Sequence, residues 1–110
     1  ARQARSSLRA AESEAAALRQ QVAMSELREA AALLLYEVTQ RNFGIAAQHA
    51  TALFDRIQQV AGSNEGAGAS LREALAARDK VTAGLASADP AVLSEVQRVF
   101  LLVHQGARGQ

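Results

Sequence analysis

Thiolate nucleophiles, disulfides and cysteine-based metal sites are excluded at the outset, because the chain has no cysteine. Its two histidines, His49 and His104, are the natural places to look for acid–base or metal chemistry. Neither has a carboxylate or a second histidine at i+3 or i+4, the spacing that would put two ligands on one helical turn, and the Glu-x-x-His motif of di-iron bundles is missing. Glu12, Glu14, Glu26 and Glu29 are spaced as solvated helix faces. Arg2, Arg5, Arg9 and Arg19 could meet phosphate, but Glu12 and Glu14 dilute them, no aromatics are interleaved, and the net charge is only +1. The glycine-rich stretch Gly62–Ala69 lacks both the Lys-Ser/Thr of a Walker loop and a preceding strand, so it reads as a connector. No catalytic, cofactor-binding or metal-ligating residue is assigned on this pattern, and a non-enzymatic protein that binds no nucleic acid is expected. For a small ligand, a polar pocket between helices would draw on Arg41, His49 and Arg78, with Tyr36 beside them.

Such side chains would be positioned by helices. The composition is alanine-rich and 49% hydrophobic, with three Phe, one Tyr, no Trp and a single proline, Pro90. Alanine favours helix and lets helices approach closely, and 110 residues suffice for one domain of ordinary size. No glycine or proline interrupts the chain before Gly44, so one helix is expected from about Gln3 to about Arg41. Its first part carries a heptad stripe, Leu8, Ala11, Ala15, Leu18 and Val22, at a and d positions if Leu8 is a. Glu14 (g) and Arg19 (the next e) are then offset as pairs are across a parallel two-stranded coiled coil. From Met24 a second stripe takes over: Met24, Leu27, Ala31, Leu34 and Val38. At about 100° per residue it lies nearly opposite the first, which Ala32, Leu33 and Tyr36 continue. A helix apolar on both sides is expected to meet its own bundle with one face and a second copy of the chain with the other, the alternative being the central helix of a monomeric bundle.

After a turn at Arg41–Gly44, with Asn42 as N-cap, a second helix to Ala61 carries Ala46, Ala50, Leu53, Ile57 and Ala61 on one stripe, with Phe54 and Val60 beside it. Ser70-Leu-Arg-Glu73 reads as a capping box that opens a third helix to about Leu85, with Leu71, Ala74, Leu75, Val81 and Leu85 apolar. Arg78 falls inside that stripe, which suggests snorkelling or pairing with a carboxylate such as Asp55. Asp89-Pro90 reads as the start of a fourth helix, lined by Leu93, Val96, Phe100 and Val103, widened by Val92 and Val99, and stopped by Gly106. Tyr36, then Asn42-Phe43, then Ala46 make Leu33–Phe54 resemble a tetratricopeptide hairpin, with Arg41 in place of that family's turn glycine. The resemblance implies a helical hairpin used in protein–protein binding.

The expected fold is all-α: a four-helix antiparallel bundle over 24–105, a coiled-coil stalk over 1–23 and a frayed tail over 106–110. The expected function is a structural or protein-interaction module. It would homodimerise through Leu8, Ala11, Ala15, Leu18, Val22, Leu33 and Tyr36 and present its bundle to a protein partner. The alternative is a ligand-sensing bundle that signals along the first helix. A start at Ala1, inside a helical pattern, suggests a fragment, and an upstream membrane anchor is compatible with it. No apolar run reaches the ~18 residues of a membrane span. The alanine- and arginine-rich usage points to a GC-rich bacterial genome.

Overall fold

A 38-residue helix, α1 (Arg2–Thr39), dominates the molecule. At 1.5 Å per residue it is about 57 Å long, and it sets the long axis of a body measuring 62 × 22 × 17 Å. The computed structural model describes residues 2–63 and 68–107. It is helical, with no strand among the described residues: α2 (Phe43–Ser63), α3 (Gly68–Ala76), α4 (Arg78–Ala86) and α5 (Val92–Ala107) follow α1. The radius of gyration is 16.8 Å, against about 13 Å for a compact domain of this size. The excess is the N-terminal part of α1, where side chains from Ala4 to Arg19 are exposed, Ala15 alone being half-buried.

The core starts at Met24. From α1 it takes Met24, Leu27, Ala31, Leu34 and Val38, and from α2 Ala46, Ala50, Leu53, Phe54 and Ile57, all buried. α1 packs on α2 and α5, α3 on α5 and α2, and α4 on α2 and α5. Ion pairs tie these neighbours at their rims: Glu26 to Arg56, Asp55 to Arg78 at 2.8 Å, Lys80 to Glu95 at 3.7 Å and Glu73 to Arg98 at 3.3 Å. Solvent-exposed pairs of this kind add little stability, and their effect is on which helix faces which.

Two turns share one device. Beyond α1 the Asn42 amide donates to the Glu37 carbonyl at 2.9 Å and the Arg41 amide to the Val38 carbonyl at 3.0 Å. Beyond α4 the Asp89 amide donates to Gly84 at 2.9 Å and the Ala88 amide to Leu85 at 3.1 Å. Both are Schellman closures, which need a left-handed residue after the helix. Arg41 (φ 63°) and Ala88 (φ 51°) supply it. Asn42 then stands just before α2, its carbonyl accepting the Ala46 amide at 2.8 Å.

Several local expectations are corrected. Helix three is broken in two at Ala77, whose amide reaches back to Ala74 at 3.1 Å. An unbroken helix would hold Arg78 in the middle of the apolar stripe. The break gives the buried place to Ala77 and leaves Arg78 half-buried. Ser70 lies inside α3, which already begins at Gly68, so it is not the N-cap of that helix. α2 runs on through Gly62 to Ser63, and the part of the expected connector at 64–67 lies outside the described residues. α5 begins at Val92, two residues later than the Asp89-Pro90 signal, although the Asp89 carboxylate does accept the Ala91 amide at 3.0 Å. The centre of its buried face is the valine row Val92, Val96, Val99 and Val103, while Leu93 and Phe100 are half-buried beside it. Gly106 does not stop α5. It is buried within the last turn against Leu71, where a Cβ would lie 2.7 Å from the leucine. The expected tail at 108–110 lies outside the described residues.

Candidate functional site

The second, outer face of α1 is the feature that the core does not use. Once Met24, Leu27, Ala31, Leu34 and Val38 have turned inward, the residues half a turn away must face solvent. Leu8 (59% exposed), Leu18 (60%), Val22 (56%), Leu33 (41%) and Tyr36 (59%) all do so. Ala11 lies between them exposed, and Ala15 half-buried. Ser25 and Glu29, both exposed, interrupt the row before Leu33. Scattered single apolar residues are normal on a surface, but several on one helix face form a contiguous strip.

Charges flank the strip. Among the described residues, none of the ion pairs involves Arg5, Glu12, Glu14 or Arg19. Glu26, at the edge where α2 begins to cover α1, holds Arg56 and is still 42% exposed. Sequence reasoning treated Glu26 as a solvated face and missed this pair. Arg56 on the polar side of helix two was its signal.

The polar candidates are placed apart. His49 is half-buried in a groove between α1 and α2, with Glu26, Glu29, Ala30, Leu33, Ala52 and Arg56, of about 260 Å³. Arg41 is exposed in the turn and lines a separate, smaller groove with Val38, Thr39, Phe43, Pro90 and Leu93. Arg78 is engaged in structure: its guanidinium meets Asp55 and lies 5.9 Å from the Phe54 ring centre, a cation–π contact at the core edge. Tyr36 belongs to the outer strip. His104 Nδ1 donates to the Phe100 carbonyl at 2.9 Å, and its ring leans on Phe100 with centroids 4.1 Å apart. That leaves only Nε2 for any other task.

Among the described residues, no group of three His, Cys, Asp or Glu is placed to hold a metal ion. No buried side-chain nitrogen or oxygen there lacks a partner, so no orphaned polar group points into a cavity. No described helix is long and apolar enough to cross a membrane. Compared with known proteins, the chain matches no family model, and no curated protein or solved structure is significantly similar to it.

Proposed function

We propose that the chain is a non-enzymatic structural or protein-interaction module that homodimerises through α1. The observation behind this reading is the outer strip of that helix, with Leu8, Leu18, Val22 and Tyr36 each more than half exposed. Full burial of a Leu or Val side chain is worth about 1.5–3 kcal/mol, so a partner on this face would recover apolar area that the chain alone leaves in water. On this reading the part before Met24 is a coiled-coil stalk, and the rest is an antiparallel four-helix bundle with α3 and α4 as one broken arm. Ile45 and Leu101, both exposed, then offer the bundle's surface to a further protein.

The competing sensor reading would use the groove at His49. At about 260 Å³ it falls below the ~300–1,000 Å³ of most small-molecule sites, which favours the interaction module. Light scattering on a sizing column tests the proposal, applied to residues 1–110 and to a chain starting at Met24. A long dimer and a short monomer are expected. Dimers in both cases would move the interface to Ala32, Leu33 and Tyr36. Monomers in both would overturn the reading.

A further inference from the structure

We infer that the two copies pair antiparallel along α1, in one register that sets Leu18 of each against Ala15 of the other. The inference rests on the dimer proposed above and fixes its geometry.

The sizes along the strip point this way. With Leu8 at a, the a positions are Leu8, Ala15 and Val22, and the d positions Ala4, Ala11, Leu18 and Ser25. In a parallel pair each position meets itself. Ala11 would face Ala11 and Ala15 would face Ala15, between wide layers at Leu8 and Leu18, so the helices could not keep one separation. In an antiparallel pair a faces d. The layers become Leu8 with Ser25, Ala11 with Val22, and Ala15 with Leu18, repeated by the two-fold axis that passes between Ala16 and Ala17. Every one of them joins a large residue to a small one. The seam ends where Glu29 comes level with Ala4, so of the outer strip Leu33 and Tyr36 lie beyond it.

The charges choose the same arrangement. The e positions are Arg5, Glu12, Arg19 and Glu26, alternating in sign every heptad. Antiparallel helices bring e against e. The register set by size puts Arg5 beside Glu26 and Glu12 beside Arg19, each pair made twice. A slip of one heptad in one direction opposes Glu12 to itself and Arg5 to Arg19. A slip in the other opposes Arg19 to itself and Glu12 to Glu26. The g positions, Ser7 with Arg28 and Glu14 with Gln21, bring no like charges together. A parallel pair would gain only Glu14 with Arg19. Within the chain Arg5, Glu12 and Arg19 have no ion-pair partner among the described residues. Glu26 shares itself with Arg56 but keeps 42% of its side chain exposed, on the side where Ser25 and Glu29 are also exposed.

The test uses the full 110-residue chain, which has no cysteine of its own. Single cysteines are introduced by Ala11→Cys and by Val22→Cys, both in the exposed part of α1 outside the bundle core, and each protein is oxidised with diamide alone and in a mixture. The inference expects a disulfide between the two variants in the mixture and none in either variant alone. Self-crosslinking of each variant alone would overturn the antiparallel arrangement and leave the dimer standing. A dimer by light scattering without the mixed disulfide would overturn this register. A monomer at every concentration would remove both the dimer and the inference. Charge reversal gives an independent reading: Glu12→Arg should weaken self-association by about tenfold or more, and Glu12→Arg with Arg19→Glu should restore it. In a parallel dimer the double reversal would set like charges at the Glu14 contact and weaken association further. Helicity by circular dichroism, compared at concentrations where each variant is dimeric, should be unchanged.

Discussion

Ala88 has a backbone conformation that helix C-termini usually leave to glycine, with φ at 51° and no polar side chain to offset it. The left-handed region costs an L-residue roughly 1–2 kcal/mol, and glycine avoids that while giving back part of the gain as unfolded-state entropy. Ala88→Gly should therefore raise stability by about 0.5–1 kcal/mol, read as a higher urea midpoint at unchanged m value. Four residues earlier the argument reverses. A Cβ on Gly84 would lie 2.7 Å from Val92 Cγ2 and 2.9 Å from its Cβ, where a branched side chain next to the backbone cannot swing away. Alanine is the better helix former by about 1 kcal/mol, but overpacking of about 1–3 kcal/mol outweighs it. Gly84→Ala should be a net loss, and a gain would show that α4 and α5 part easily. Phe54 has no exposed surface and sits under the Arg78 guanidinium. Phe54→Ala should cost about 3–5 kcal/mol, and Phe100→Ala distinctly less, because Phe100 is only half-buried.

At the scale of the element, α1 has two stretches under different constraints. From Ala4 to Gln21 its side chains are exposed, apart from half-buried Ala15 and Gln20, and an isolated helix of that length is marginal in water. From Leu27 onward it is locked to α2 and α5. Amide exchange should reflect this. Protection over Leu27–Val38 should approach the global stability at any protein concentration, while protection before Val22 should rise with concentration as copies pair. Concentration-independent exchange before Val22 would count against pairing there. The long helix, its switch of stripe at Met24 and the buried residues of α2 were legible in the sequence, because spacing alone places them. The break at Ala77 was not, since neither glycine nor proline marks it. Its only trace was Arg78 standing in an apolar stripe, an inconsistency that the chain resolves by bending. The expected face of α5 contained all four buried valines, but it was centred between Leu93 and Phe100, which turn out half-buried at its edge. The four valines are the residues buried where α5 packs on α1, α3 and α4. The candidate site was legible as a stripe, and the matched lengths of the other helices already placed Leu8–Val22 beyond their reach.

At the scale of the molecule, the question is where an antiparallel pair would carry its bundles. Glu29 of one copy would lie level with Ala4 of the other, so the two Glu29 residues would stand roughly 38 Å apart along the shared axis at 1.5 Å per residue. The bundles, which extend beyond that point, would occupy opposite ends of a paired rod. Parallel copies would instead hold their bundles side by side, with the α1 axes about 8–10 Å apart. Small-angle scattering separates the two without a label. A single chain has a radius of gyration of 16.8 Å. Displacing two such bodies along the rod should give a dimer of roughly 25 Å or more, with a second maximum in the pair-distance distribution, whereas side-by-side bundles would stay near ~20 Å with one maximum. The same experiment in high salt has a built-in check. The e-position pairs are solvent-exposed and screened at ionic strengths whose Debye length is about 3 Å, while the large-to-small layers are not. Added salt should thus lower the dimer fraction without changing the shape of the dimer that remains. A dimer that turned compact in salt would mean that charge alone had set the register and that the packing of Leu18 against Ala15 contributes nothing to it.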